Sequence, residues 1–312
     1  MAQEIEITTA TAIVQAGEAE RIVEAYLAQL DVSARSEATY RNALRRWTAW
    51  LAETGRTLAV SRADVLAYRD QLQATSSAAT VNAYLVAVRG LYSWLESERL
   101  YPNVARDVHG LKKKAAAGHD ALTLDQAREL LADGAATVAE LRDAAMISLM
   151  LRRGLRTVEI VRADVGDIRQ IDGEGVLYVQ GKGHTAKDDF VVLGAAVLEK
   201  IYAYLAARGR VDDGAPLFAA TGNRNAGGRM TTRSVSRIVK AAYERHGIVN
   251  PRITAHSLRH TAVTLSLKGG ATVQEAQAMA RHANIQTTLL YAHNLQRMEA
   301  KAERSVDMLL AG

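Results

Sequence analysis

The sequence predicts a mainly α-helical protein in two parts, the second of which adds a small antiparallel sheet. Three observations favour this fold class. Apolar residues recur at helical spacing through the first hundred residues, the pattern breaks between residues 104 and 120, and two short β-like runs then interrupt a second helical series. The length of 312 residues also suits two domains, each with enough chain to bury a core.

The first part is predicted to be a compact bundle of four amphipathic helices. Residues 1–17 show no sustained periodicity, so we expect a loose tail there and a bundle over residues 18–105. Ser61 and Asp64 form a capping-box pattern at the start of the third helix. The apolar positions of the four helices are Ile22, Val23, Tyr26, Leu27, Leu30; Tyr40, Ala43, Leu44, Trp47, Trp50, Leu51; Val65, Leu66, Tyr68, Leu72; and Tyr84, Leu85, Val88, Leu91, Tyr92, Leu95.

A linker is predicted at residues 106–119, and a second domain at residues 120–312. The sequence RDVHGLKKKAAAGHD is basic, rich in small residues and without an apolar face. After it, Thr123 and Gln126 form another capping box ahead of helical repeats that reach Leu151. The runs 175–180 (GVLYVQ) and 190–193 (FVVL) predict strands around the loop GKGHTAKDD. Further helices are predicted at 195–207, 232–245, 256–268, 273–281 and 287–291.

The amino-acid composition excludes several classes of protein but indicates no single function. The chain has 48% apolar and 23% charged residues, no apolar run of about 20 residues and an acidic N-terminus, so we expect a cytoplasmic protein without a membrane segment. The absence of cysteine excludes disulfides, thiolate metal sites and cysteine nucleophiles. A net charge of +5 favours a polyanionic binding partner, although the same charge could serve only to keep the protein soluble.

Four short motifs follow one another in the second part. They are GLRTVE at 154–159, GKG around Lys182, HSLRH at 256–260 and RHANIQTTLLYAH at 281–293. Taken singly, each has an ordinary structural explanation: a surface arginine, a lysine in a hairpin turn, a histidine that caps a helix, a tyrosine that packs. Their order and their local structure together favour a functional site.

With these motifs the chain resembles the tyrosine recombinase family, also called the phage integrase or Xer-like family, over most of residues 20–300. The resemblance implies a helical core-binding, SAM-like domain followed by a mixed α+β catalytic domain. Glu159 matches an acidic position that supports the first arginine in the family. The implied catalytic residues are Arg156, Lys182, His256, Arg259, His282 and Tyr291.

The residue types suit the chemistry of a phosphodiester. Guanidinium groups such as those of Arg156 and Arg259 bind non-bridging oxygens in a bidentate manner, and His282 would donate a hydrogen bond to the same phosphate. Tyr291 would form a reversible phosphotyrosine link, with His256 accepting or relaying its proton. Lys182 would protonate the leaving 5′ oxygen.

Two departures from the family pattern concern this site. Ala280 and Arg281 stand before His282 where the family often has leucine and glycine, which questions the geometry of that helix turn. After GKG the chain reads HTAKDDFVVL instead of continuing through lysine and arginine into a Val-Pro-Leu strand, so Lys187 is a rival for the catalytic lysine.

The resemblance implies a site-specific recombinase that acts on duplex DNA through a 3′-phosphotyrosyl bond and a Holliday junction. It also implies a homotetramer on two DNA sites, to which an apolar stripe after Tyr291 could contribute by exchange of the C-terminal helix. Neither a metal nor a cofactor is expected, because the phosphotyrosyl link conserves the bond energy. Candidate DNA contacts, each also readable as a solvated surface residue, are Arg41, Arg45, Arg46, Lys112, Lys113, Lys114, Arg233 and Arg237.

Three other classes remain open at this stage. A type IB topoisomerase uses related chemistry without paired sites, and a DNA-binding protein of the same fold would lack catalysis. A metal-dependent nuclease would need clustered carboxylates, for which Asp188 and Asp189 are weak candidates.

Overall fold

The computed structural model describes residues 18–112, 120–181, 184–222, 225–299 and 302–311. The chain divides into two compact units, Met1–Ala116 and Ala117–Gly312. The described part of the first unit is helical, and the second unit combines helices with a three-stranded antiparallel sheet. The predicted fold class is therefore confirmed. Among the described residues, no helix is both long enough and apolar enough to cross a membrane.

The first unit is built around a cluster of aromatic side chains. Trp47 is fully buried, stacks on Trp50 with 5.2 Å between ring centroids, and meets Tyr68 and Tyr92 edge-on. Such pairs bury a large apolar area with defined geometry, so they fix how the helices pack. The helices are α1 (Ala19–Ala28), α2 (Ala34–Glu53), α3 (Arg62–Thr75) and α4 (Ala78–Ser97).

Short polar caps set where these helices begin. The hydroxyls of Ser33, Ser61 and Ser77 each accept a hydrogen bond from a backbone N–H in the first turn of α2, α3 and α4. Asp64 completes the capping box of α3 by accepting from the N–H of Ser61 at 2.8 Å. The predicted capping box is thus confirmed.

The second unit places a buried helix at the centre of several others. The middle of α6 (Val138–Arg153) is buried from Ala145 to Leu151 and contributes most of its side chains to the core. The remaining helices are α5 (Leu124–Ala132), α7 (Thr157–Arg162), α8 (Ala195–Arg208), α9 (Thr232–Arg245), α10 (Ala255–Lys268), α11 (Val273–Ala280), α12 (Gln286–Glu299) and α13 (Ala302–Leu310).

The sheet contains one strand that the hydropathy pattern did not reveal. It runs in the order β1 (Ile168–Ile171), β2 (Glu174–Val179) and β3 (Asp189–Leu193). Asp172 and Gly173 adopt φ values of 50° and 84° and form the tight turn between β1 and β2. β1 has only four residues, so it is too short for an alternating pattern to stand out. The two predicted strands are confirmed as β2 and β3.

Candidate active site

Four segments of the second unit meet at one place. They are the turn between α6 and α7, the first half of α10, the turn between α11 and α12, and the start of α12. Gly154 ends α6 in the left-handed region, with a φ of 65°, and so turns the chain toward Arg156. Thr254 caps α10, which brings His256, Arg259 and His260 into its first two turns.

A buried carboxylate organises two arginines. Glu159 has no exposed side-chain area, and it accepts hydrogen bonds from the backbone N–H and the Nη1 of Arg156, both at 2.7 Å. Arg281 donates to the same carboxylate through its Nη2 at 2.7 Å. Burial by itself raises the pKa of Glu159, but Arg281 and Arg156 outweigh it and hold the pKa below its usual value. The carboxylate is therefore ionised at neutral pH.

Arg259 is the most deeply buried arginine among the described residues. It is 2% exposed, and it donates to the carbonyl of Gly154 at 2.6 Å and to the carbonyl of Ala280. Burial, with the charge of Arg156 acting in the same direction, lowers its pKa to about 9. We call Arg156, Glu159, Arg259 and Arg281 the arginine cluster. It sets three guanidinium groups against one carboxylate, so it favours an anion.

The turn between α11 and α12 keeps a helix-terminating geometry without glycine. Arg281 adopts a φ of 52°, in the left-handed region, and its N–H donates to the carbonyl of Ala278 at 3.0 Å. The departure from the family pattern at this position therefore leaves the turn in place. It also adds a guanidinium that a glycine would not supply.

His282 is held by a buried threonine. Its Nδ1 lies 2.8 Å from the hydroxyl of Thr288, whose side chain is fully buried. Burial lowers the pKa of His282 to about 4, and the charges of Arg259 and Arg156 act in the same direction. The imidazole is thus neutral at pH 7. Its Nε2 takes no part in the contact with Thr288, so it can bond to a ligand or to solvent.

Tyr291 lies against the histidines of α10. Its hydroxyl is in hydrogen-bond contact with the Nδ1 of His260, and its ring lies parallel to that of His282 with 6.4 Å between centroids. The ring of His256 meets that of His260 edge-on at 4.7 Å. Burial raises the pKa of Tyr291 to about 12, although the charge of Arg259 opposes this shift. The hydroxyl therefore needs an acceptor before it can act as a nucleophile.

The structure describes one of the two candidate lysines, Lys187. Lys182 lies outside the described residues. Lys187 is ion-paired with Asp164, at 2.6 Å, and with Asp167. Both carboxylates belong to the segment between α7 and β1, so Lys187 attaches the start of β3 to that segment.

The candidate DNA contacts are spread over both units. Arg41 is engaged by the carboxylates of Glu24 and Glu37, the latter at 2.9 Å. Among the others, Lys113 and Lys114 lie outside the described residues. The exposed ones are Arg45, Arg46, Lys112, Arg233 and Arg237.

Three residues of this site were not singled out from the sequence. His260 follows the HSLR motif and shares a helical face with His256, since four positions separate them. That spacing indicates that the two histidines lie close together, but it does not indicate that His260 contacts Tyr291 on α12. Arg281 stood out only as a departure, and Thr288 reads as one of two threonines in NIQTTLL.

Comparison with known proteins gives consistent matches for both units. The sequence profile of the phage integrase family matches residues 120–298, and that of the phage integrase N-terminal SAM-like domain matches residues 23–99. The chain is 31% identical over 291 residues to the tyrosine recombinase XerD of Bifidobacterium longum, covering 88% of this chain and 92% of the relative. It is 32% identical over 286 residues to XerD of Mycobacterium tuberculosis, covering 83% and 87%.

Two solved structures share the fold. The XerH site-specific recombinase bound to a palindromic difH substrate superposes with a TM-score of 0.72 at 18% identity, covering 92% of this chain and 84% of that one. A lambda integrase dimer bound to a COC′ core site gives 0.67 at 16% identity, covering 86% and 96%. Because one profile spans more than half of the chain and the XerD relatives align over most of it, the chain belongs to the phage integrase family, the family of the tyrosine recombinases.

Proposed function

We propose that this protein is a site-specific DNA recombinase that cuts and rejoins DNA with Tyr291 as its nucleophile. The observation that carries the proposal is the position of the Tyr291 hydroxyl. The hydroxyl contacts the Nδ1 of His260, the ring lies parallel to that of His282, and Arg259 is close enough for its charge to act on the pKa of the phenol. A half-buried phenol that contacts an imidazole and lies within the influence of the Arg259 charge suits attack on a phosphodiester better than it suits packing alone.

The arginine cluster would bind the scissile phosphate. A guanidinium has five N–H donors. Arg156 uses Nη1 for Glu159 and Nη2 for the carbonyl of Arg281, at 3.1 Å, and Arg259 uses its two Nη atoms for two carbonyls. Each guanidinium therefore keeps donors for non-bridging oxygens. His282, neutral and oriented by Thr288, would donate a further hydrogen bond. These groups act on charge that grows as the phosphorus becomes five-coordinate, so they lower the barrier to cleavage.

Cleavage and rejoining would be chemically symmetrical. The phenolate of Tyr291 attacks phosphorus and forms a 3′-phosphotyrosyl bond, while the 5′ oxygen leaves with a proton from Lys182. The free 5′ hydroxyl of a second duplex then attacks the phosphotyrosyl bond, which regenerates the tyrosine and produces a Holliday junction. His256 would contribute to handling the proton or the phosphate.

Duplex DNA is the proposed partner, and the cytoplasm, where that DNA is accessible, the proposed compartment. XerH and lambda integrase were each solved on a DNA site, which supports the same partner for this chain. We propose residues 18–105 as a DNA-binding domain, residues 106–119 as a linker and residues 120–312 as the catalytic domain. Exposed Arg45, Arg46 and Arg237 could contact phosphates without reading sequence.

Assembly into a tetramer is proposed to involve the C-terminal helix. In α13 the side chains of Met308, Leu309 and Leu310 are 72%, 82% and 81% exposed, an unusual state for adjacent large apolar residues. A neighbouring copy that received this helix would cover them. Exchange around a ring of four copies would then join two DNA sites.

The deciding experiment is a covalent trap. The substrate is a nicked duplex carrying a site that the protein retains from a randomised DNA pool, and EDTA is present throughout. We expect the wild-type protein to form a denaturant-resistant DNA adduct and Tyr291→Phe to form none while binding the site equally well.

Other outcomes point to other classes. An adduct in Tyr291→Phe would assign the nucleophile elsewhere, and tight binding without any adduct would indicate a non-catalytic DNA-binding protein. Relaxation of supercoiled plasmid without recombinant products would indicate a topoisomerase. Cleavage in a parallel reaction with Mg²⁺ that EDTA abolishes would indicate a metal-dependent enzyme.

A further inference from the structure

The contact between Tyr291 and His260 supports the choice of nucleophile, but His260 itself has no chemical role in the mechanism described so far. His260 lies one helical turn after His256 on α10, directly after the buried Arg259. Its Nδ1 is in hydrogen-bond contact with the hydroxyl of Tyr291, and the two ring centroids are 5.2 Å apart. The contact joins α10 to α12, so it is a tertiary contact and not a local feature of one helix.

The other histidine beside Tyr291 is already committed through its Nδ1. His282 contacts Thr288 by this nitrogen at 2.8 Å, and its ring lies parallel to the phenol at a centroid distance of 6.4 Å. Among the described residues, His282 makes no hydrogen bond to the phenolic oxygen. His260, in contrast, has a nitrogen directly at the reacting atom.

The attacking oxygen also needs help to lose its proton. Burial raises the pKa of Tyr291 to about 12, and the opposing charge of Arg259 does not cancel that increase. A phenol with such a pKa is almost entirely protonated at neutral pH. An imidazole that carries its proton on Nε2 presents Nδ1 as an acceptor, which is the nitrogen in contact here.

We propose that His260 is a general base for Tyr291, a role that rests on the proposed function of Tyr291 as nucleophile. The phenolic proton moves to Nδ1 of His260 as the oxygen–phosphorus bond forms, and the bond from phosphorus to the 5′ oxygen breaks with a proton supplied by Lys182. During rejoining, the attacking 5′ hydroxyl gives its proton back to the neutral amine of Lys182, and the imidazolium of His260 returns its proton to the departing phenolate. Protons balance over the complete cycle, and no further reactant is needed.

The test separates proton transfer from hydrogen bonding. In His260→Asn the side-chain amide lies where Nδ1 was, so it can still bond to the phenol but cannot act as a base. We expect cleavage of the nicked site to fall about 100-fold or more, within the range that general bases contribute. Binding of the same site should be unchanged. His293→Ala, at an exposed histidine of α12, serves as the control and should cleave normally.

The second arm of the test changes the phenol. With 3,5-difluorotyrosine at position 291 the hydroxyl is more acidic, so it depends less on a base. We expect this replacement to restore most of the cleavage lost in His260→Asn. A merely structural role of His260 would leave the deficit of His260→Asn as large with the fluorinated phenol as with tyrosine.

Each remaining outcome has a defined meaning. Cleavage by His260→Asn at the wild-type rate would overturn the assignment of the base, while adduct formation through Tyr291 would keep the proposed function. Failure of the wild-type protein to form any adduct on a bound site would overturn both. If thermal melting shows that His260→Asn is unfolded, His260→Gln is put through the same two arms.

Discussion

At the residue scale, Arg281 combines a backbone cost with an electrostatic gain. A non-glycine residue in the left-handed region costs about 1–2 kcal/mol, and Arg281 has a φ of 52° there. In return its side chain, only 7% exposed, donates to the buried carboxylate of Glu159. Removing one partner of a buried ion pair costs about 3–5 kcal/mol because the other charge stays buried, so we expect truncation of Arg281 to cost more than the strain that it could relieve.

The two contributions can be separated by a pair of substitutions. Arg281→Ala loses the ion pair and keeps the backbone strain, so we expect the free energy of unfolding to fall by about 3–5 kcal/mol. Arg281→Gly loses the same ion pair but relieves the strain, so it should be more stable than Arg281→Ala by about 1 kcal/mol. Urea unfolding of the two variants measures both differences.

A third variant provides the control for this prediction. In a Glu159→Gln background the carboxylate is absent, so Arg281→Ala should cost much less than it does in the wild type. Equal costs in the two backgrounds would mean that Glu159 is not the partner that matters. Equal stability of the alanine and glycine variants would mean that the backbone at residue 281 is not strained.

At the element scale, the loop between β2 and β3 carries both candidate lysines. Lys187 is ion-paired with Asp164 and Asp167, which makes it an attachment point for β3 and a poor proton donor. We therefore expect Lys182→Ala to reduce cleavage of an ordinary substrate about 100-fold or more. With a 5′-bridging sulfur in the scissile bond, the loss should disappear, because a thiolate leaves without a proton.

Lys187→Ala is the matched comparison for that experiment. It should lower the free energy of unfolding by about 1–3 kcal/mol, because charged hydrogen bonds are lost. The effect of Lys187→Ala on the cleavage rate should be the same factor for the ordinary oxygen substrate as for the sulfur substrate. Selective rescue of Lys187→Ala by sulfur would instead make Lys187 the proton donor.

The elements themselves were predictable to different degrees. The helices of the first unit follow from apolar spacing and from serine caps, both of which are local signals. Asp172 and Gly173 form a typical hairpin turn, but the sequence analysis did not predict β1. This strand has only four residues, which is too few for an alternating pattern to be recognised. The contact of Tyr291 with His260 joins two helices, and helical periodicity contains no information on which faces meet.

At the scale of the whole molecule, we propose that copies of the chain assemble on DNA through α13. The exposed side chains of Leu309 and Leu310 in α13 form the apolar surface that we propose docks on a neighbour. Burying one leucine contributes about 1.5–3 kcal/mol, so two of them are worth several orders of magnitude in the association constant. The double substitution Leu309→Asp, Leu310→Asp should remove that contribution and add a cost for buried charge.

The double substitution should affect the association of copies of the protein and no step that a single copy carries out. We expect this double variant to bind a single site and to form the Tyr291 adduct on a nicked duplex, because neither step has to involve α13. Sedimentation with duplex sites should show that the wild-type protein holds two sites in a tetramer, whereas the variant stops at a lower order. Asp307→Asn, at an exposed position of the same helix, should behave as the wild type. If the double variant still forms the tetramer, α13 does not dock on a neighbour, and some other surface must hold the four copies together.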